Sequence, residues 1–181
     1  AERAIDGRRL GAPAGIAAMD QLASTIPFGI CRTNIGGPTS VAAVAPALFA
    51  VGWQTVATCL GNVIYRSPVG ALIDFTTAPT QTGVPLGYPR AAPPTAVSSS
   101  AASVASLAGD TLWVWYAIYA ASPTPPYEYF VAAAWTSAGA TTAPIVLTTR
   151  RPFVNNGRPG VAAGSASLLV TWAQGADDLA T

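Results

Sequence analysis

The clearest pattern in the chain is the run 111–121, eleven residues without a charged residue, glycine or proline. In an extended chain the odd-numbered and even-numbered residues of this run point to opposite faces. The odd face carries Trp113, Trp115 and Tyr119, and the even face is aliphatic apart from Tyr116. Because neither face suits water, the pattern predicts a strand that is covered on both sides.

Shorter alternating runs predict further strands before and after this one. They lie at 24–34, 53–66, 69–76, 127–137, 144–149 and 166–174. Short helices are expected at 41–45 and at 98–108, where a serine- and alanine-rich run ends at Gly109. Residues 16–22 also suit one or two helical turns. The segment 77–94 has no periodicity and recurrent proline and glycine, which predicts a long loop and a candidate contact region.

Seven or eight strands with proline-rich turns, and no alternation with long helices, indicate an all-β chain. We predict an antiparallel eight-stranded jelly-roll sandwich with one or two short helices. The shell of this fold is assigned to residues 16–181. Residues 1–15 carry three of the nine arginines between glycine and proline breaks, and are predicted to form an amino-terminal arm.

The composition excludes several kinds of function. Only 9% of the residues are charged, against roughly 25% in typical soluble proteins, and 51% are hydrophobic. The chain has no histidine, which removes the commonest general base and metal ligand. It also lacks a nucleophile elbow, a phosphate-binding glycine loop and a calcium-loop spacing. We therefore expect neither an enzyme nor a metal or cofactor site.

All nine cationic residues are arginines, through coding bias or because arginine suits interfaces and phosphates. The net charge of +1 is too small to hold nucleic acid through the whole domain, so any such contact must be local. Arg3, Arg8 and Arg9 in the arm are the candidates for that contact. Arg150 and Arg151 are candidates for a subunit interface, with nucleic-acid contact as the alternative.

Three of the aromatic side chains, Trp113, Trp115 and Tyr119, are also predicted to lie at a subunit interface. One sandwich core has room for few rings, and aromatic residues are favoured anchors between proteins. The alternatives are an ordinary core and a platform that stacks on carbohydrate. Cys31 and Cys59 leave the question of a disulfide open. The apolar window 41–60 is interrupted by polar residues, proline and glycine, so no membrane partner is expected.

The run 110–135 consists of two apolar strands joined by Ser-Pro-Thr-Pro-Pro. It resembles the late strand pairs of the coat proteins of small spherical plant viruses, tymovirus-like coats in particular. The resemblance implies a single jelly roll packed into an icosahedral shell, with the arm directed inward to the packaged genome. The expected function is thus a self-assembling capsid protein of the virion. The alternative is a secreted or surface β-sandwich that binds carbohydrate or protein through the aromatic cluster.

Overall fold

A computed structural model describes residues 5–7, 10–11, 15–16, 20–23, 32–58, 64–86, 96–120, 128–148 and 158–173. The regular structure of these residues is β throughout, and no helix occurs among them. The strands are β1 (Ile5–Gly7), β2 (Leu10–Gly11), β3 (Gly15–Ile16), β4 (Asp20–Ala23), β5 (Arg32–Ala45), β6 (Leu48–Thr58), β7 (Ile64–Asp74), β8 (Thr80–Val84), β9 (Ala96–Ser99), β10 (Ser103–Leu107), β11 (Asp110–Ala120), β12 (Glu128–Ser137), β13 (Ala140–Thr141), β14 (Ile145–Thr148), β15 (Gly160–Ala163) and β16 (Leu168–Thr171).

Sheet I consists of β5, β6, β7 and β8 in that order, each antiparallel to the next. Three sequence-based predictions fail here. The single strand predicted at 53–66 is two strands, because β6 ends at Thr58 and β7 begins opposite it at Ile64. The loop predicted at 77–94 contains β8. The short helix predicted at 41–45 is instead the end of β5, which pairs with β6.

Sheet II is built around β11, which pairs with β12 on one side and with β9 and β10 on the other. The far side of β12 pairs with β13 and β14. The helix predicted at 98–108 is therefore wrong. Ala108 and Gly109 have φ angles of 54° and 87°, and Leu107 pairs with Asp110 around them. Two successive positive φ angles make a tight hairpin turn, so Gly109 reverses a strand rather than ending a helix.

A row of mostly small residues crosses the inner face of sheet I and allows the two sheets to approach. Ser40, Gly52, Gly70 and Val84 are successive partners in the strand register. A β-carbon at position 70 would lie 2.7 Å from Cζ3 of Trp113. At position 52 it would lie 2.5 Å from the carbonyl oxygen of Ala102. The two glycines thus leave the space that sheet II occupies.

The main core lies between the two sheets, with Trp113, Trp115 and Phe130 of sheet II as its largest side chains. The opposite face of sheet II carries Val114 and Val131, and Val161 and Val170 of β15 and β16 pack against them. These two strands form a separate hairpin, which forms a third layer. Both faces of β11 are covered, as its pattern predicts. The cover of the second face is this hairpin of the same chain.

An all-β antiparallel fold is therefore confirmed. Within sheets I and II the described pairs join consecutive strands, except that β9 pairs with β11 and β14 with β12. Such an order is largely a meander. The Greek keys and the eight strands of the predicted jelly roll are not confirmed in the described residues. Near the amino terminus β1 pairs with β4 and β2 with β3, so pairs cross the predicted boundary at residue 15. The helical turns expected at 16–22 are wrong where they are described, because Ile16 and the residues of β4 lie in strands.

Candidate assembly surface

The two tryptophans predicted at a subunit interface lie in the interior of the single chain. Trp113 and Trp115 are each 0% exposed. The indole Nε1 of Trp113 donates a hydrogen bond to Oγ1 of Thr136 at 2.8 Å, and that hydroxyl lies 2.9 Å from Oγ1 of Thr141. Since sheet I covers both rings, neither offers a surface to another subunit. The structure assigns them to the core instead.

The other predicted site residues fall outside what the structure describes in full. Arg3, Arg8, Arg9, Arg150 and Arg151 lie outside the described residues, as do Cys31 and Cys59. The backbone of Tyr119 pairs with Glu128 and Val97 within sheet II, but its side chain is not among those described. Their roles in nucleic-acid binding and at an interface stay predictions.

The strand β14 presents an apolar edge of sheet II to solvent. Ile145, Val146 and Leu147 are 60%, 40% and 36% exposed. Because successive strand residues point to opposite faces, both faces of β14 are uncovered. One side of β14 pairs with β12, with a shift of register near Leu147, and no other described strand pairs with it. The strand has no charged side chain. The sequence predicts a strand here, but not its exposure.

The strand β8 is the contrasting edge of sheet I. Its first four residues, Thr-Gln-Thr-Gly, are exposed, and only Val84 is buried. The turn before it is ordered by Asp74, whose Oδ1 accepts hydrogen bonds from the hydroxyl of Thr76 and from its backbone N–H, the latter at 2.7 Å. These bonds, the hydroxyl bond first, hold the pKa of Asp74 below its ordinary value.

Among the side chains that the structure describes, three further large apolar ones are exposed. They are Val41 on β5, Leu169 on β16 and Trp172 directly after β16, with exposed fractions of 66%, 64% and 38%. Single exposed apolar residues are common on protein surfaces, but three in succession on β14 are not accounted for in this way. We therefore take β14 as the centre of the candidate assembly surface.

The described part of the chain shows no group of three histidine, cysteine or acidic side chains that could hold a metal ion. No helix in that part is long and apolar enough to cross a membrane. No family model, curated protein or solved structure matches the chain. The exposed apolar strand β14 is therefore the feature that bears most directly on function.

Proposed function

We propose that this chain is a structural protein that assembles with copies of itself, and that β14 is the edge through which the copies meet. The observation that carries the proposal is the run of three exposed apolar residues on an uncharged edge strand, Ile145 to Leu147. Such edges pair readily with other chains, and monomeric proteins commonly protect them with charges, proline or a covering segment.

Edge pairing would combine two sources of affinity. Backbone N–H and C=O groups that point away from β12 would gain partners from a second strand, and the apolar side chains would leave water. Charge repulsion between copies is small because the net charge is +1 and only 9% of residues are charged. Stable interfaces bury roughly 1,200–2,000 Å² in total. One four-residue strand is too short for that area, so Leu169 and Trp172 are candidates for additional contacts.

The more specific proposal is that the assembly is an icosahedral capsid, with the chain located in the virion. It rests on the resemblance of 110–135 to coat proteins, together with the low charge and the apolar edge. In this proposal the all-β domain forms the shell, and Arg3, Arg8 and Arg9 contact the packaged genome. A binding module with an aromatic platform is less well supported, because Trp113 and Trp115 are buried.

Size-exclusion chromatography with light scattering, followed by negative-stain electron microscopy, tests the assembly proposal. The purified chain is examined at several protein concentrations, salt concentrations and pH values. We expect large species of defined mass, and closed particles if the capsid proposal is correct. A monodisperse monomer under every condition would overturn both proposals, whereas defined oligomers without closed particles would overturn only the capsid.

The proposed role of the arm is tested separately by deleting residues 1–11. Removing Arg3, Arg8 and Arg9 should reduce the nucleic acid that co-purifies with the protein, measured as the ratio of absorbance at 260 nm and 280 nm. The residual binding should fall further with added salt, as phosphate contacts do. An unchanged nucleic-acid content in the deletion variant would contradict this role and leave the assembly proposal intact.

A further inference from the structure

The β15–β16 hairpin is joined to the rest of the described fold without strand pairing. Its two strands pair only with each other, from Gly160 opposite Thr171 to Ala163 opposite Leu168. It covers the outer face of sheet II, where Val114 and Val131 are both 0% exposed. The hairpin thus covers an apolar face of sheet II without strand pairing to any described strand of that sheet.

The polar contacts of the hairpin are concentrated at its amino-terminal end, around Arg158. Its Nε donates to Oγ of Ser103 at 2.9 Å and its Nη2 to the carbonyl oxygen of Ala102 at 3.1 Å. Nη1 donates to the carbonyl oxygen of Thr39 at 3.4 Å. The hydroxyl of Ser103 in turn donates to the carbonyl oxygen of Pro159. We refer to these bonds of Arg158 and Ser103 as the Arg158 latch.

The latch lies where the three layers of the molecule meet. Thr39 belongs to sheet I, Ser103 to sheet II, and Arg158 precedes the hairpin. Pro159 beside it is fully buried. Burial also lowers the pKa of Arg158. One side chain therefore ties the third layer to both sheets.

Beyond the latch, the hairpin packs on sheet II through few apolar side chains among the described residues. Val161 and Val170 are the hairpin side chains packed against the outer cluster of sheet II. Ala162, Ala163 and Leu169 are exposed. An isolated two-stranded hairpin is marginally stable in water at best. Among the described residues, Val161, Val170 and the latch are thus the side-chain contacts that hold the hairpin on sheet II.

We propose that the β15–β16 hairpin is a detachable cover held by the Arg158 latch, and that the surface beneath it accepts the same hairpin from a second copy of the chain. A second copy is the expected occupant because it carries the same hairpin. The surface that fits β15–β16 within one chain therefore fits the β15–β16 of another copy equally well. The inference does not depend on the proposed function, because exchange of a hairpin requires neither β14 nor a closed shell.

Hydrogen exchange measured by mass spectrometry tests detachment in the full-length chain. Arg158→Met keeps an apolar stem but removes the latch. Amides of β15 and β16 should exchange at least tenfold faster, while those of β11 and β12 keep their rates. Gln81→Met, which replaces an exposed polar side chain on β8, is the control and should leave both sets unchanged.

Two outcomes of that experiment would overturn the proposal. One is an unchanged exchange rate in β15 and β16, and the other is an equal acceleration in the hairpin and in β11 and β12. Ser103→Ala removes one part of the latch and provides a milder variant in case Arg158→Met does not fold. It should accelerate exchange in the hairpin alone, and no acceleration would again overturn the proposal.

A labelled peptide tests acceptance of a second hairpin. The probe is a fluorescein-labelled synthetic peptide of residues 158–173, titrated with the full-length chain and followed by anisotropy. The Arg158→Met chain should bind it at least tenfold more tightly than the wild type, because the peptide carries the arginine that the resident hairpin lacks. A peptide with Val161→Asp and Val170→Asp should not bind. Absent binding, or equal binding of both peptides, would refute exchange.

Discussion

β8 ends sheet I with threonine, glutamine and glycine, whereas β14 ends sheet II with isoleucine, valine and leucine. Successive residues are exposed in both strands, so solvent reaches side chains on both faces of each strand. The side chains of Thr80, Gln81 and Thr82 can hydrogen-bond to water, whereas those of Ile145, Val146 and Leu147 cannot. Exposure of an edge strand therefore does not by itself predict association. The chemistry of its side chains decides whether the edge is solvated or pairs with another chain.

The largest effect is expected from a charge on the apolar edge. Val146→Lys removes the burial of one aliphatic side chain and places a cation against a second copy. Loss of about 1.5–3 kcal/mol per contact weakens association roughly ten- to hundredfold. Sedimentation velocity over a concentration series measures the change. Thr82→Lys on β8 is the matched control and should associate like the wild type. Equal effects of the two lysines would remove the distinction between the edges.

Gly70→Ala should lower the free energy of unfolding and should not change association through β8 or β14. Its β-carbon would meet Trp113 at 2.7 Å, and such overpacking costs about 1–3 kcal/mol. Urea unfolding followed by tryptophan fluorescence measures this loss. At Gly83 on β8 a β-carbon would have no atom within 4 Å, so Gly83→Ala serves as the control and should unfold close to the wild type. Equal stability of both variants would contradict the close packing of the two sheets.

A smaller effect is expected when the polar edge is made apolar. Thr82→Val keeps the shape of an exposed side chain on β8 and replaces its hydroxyl by a methyl group. We expect association to rise, by less than tenfold, because only one residue of the edge gains apolar surface. Static light scattering against protein concentration detects such a change. A decrease in association would show that the chemistry of this edge does not control pairing.

The smallest effect concerns pH and acts on β8 alone. The pKa of Asp74 is held below its ordinary value of 3.8 by the bonds from Thr76. This stabilisation is fully present above that ordinary value and is lost as the pH falls through the lowered pKa. Amide protection factors in β8 should therefore decrease at acidic pH, while β14 serves as the internal control. Asp74→Ala should lack this response, and a response identical to that of the wild type would contradict the assignment.

Local patterns predict part of this fold. The alternation around Trp113 predicts β11, and the turn-forming residues after it predict the separate strand β12. The alanines of 98–108 favour a helix locally, but pairing with β11 overrides this preference. The positive φ of Ala108 and Gly109 follows from that hairpin. The pattern of 53–66 does not show where β6 ends and β7 begins, because residues on both sides of the break, such as Val56 and Ile64, suit a strand.

The candidate site was harder to predict because burial depends on distant parts of the chain. The tryptophans of β11 have the composition of an interface, but sheet I covers them within the same chain. Val114 is covered by a hairpin some fifty residues further on. Conversely, Ile145 and Leu147 have the composition of a core and are exposed. Sequence periodicity specifies which residues share a face of a strand, but not which segment covers that face.

The central claim is that copies of the chain meet through β14 and not through β8. Hydrogen exchange of the amides of Ile145–Thr148 and Thr80–Val84, compared between the assembled state and the dilute monomer, tests it most directly. We expect assembly to slow exchange at those β14 amides that point away from β12 and to leave exchange in β8 unchanged. Slower exchange in β8 alone, or no change in β14 within an assembled particle, would contradict it.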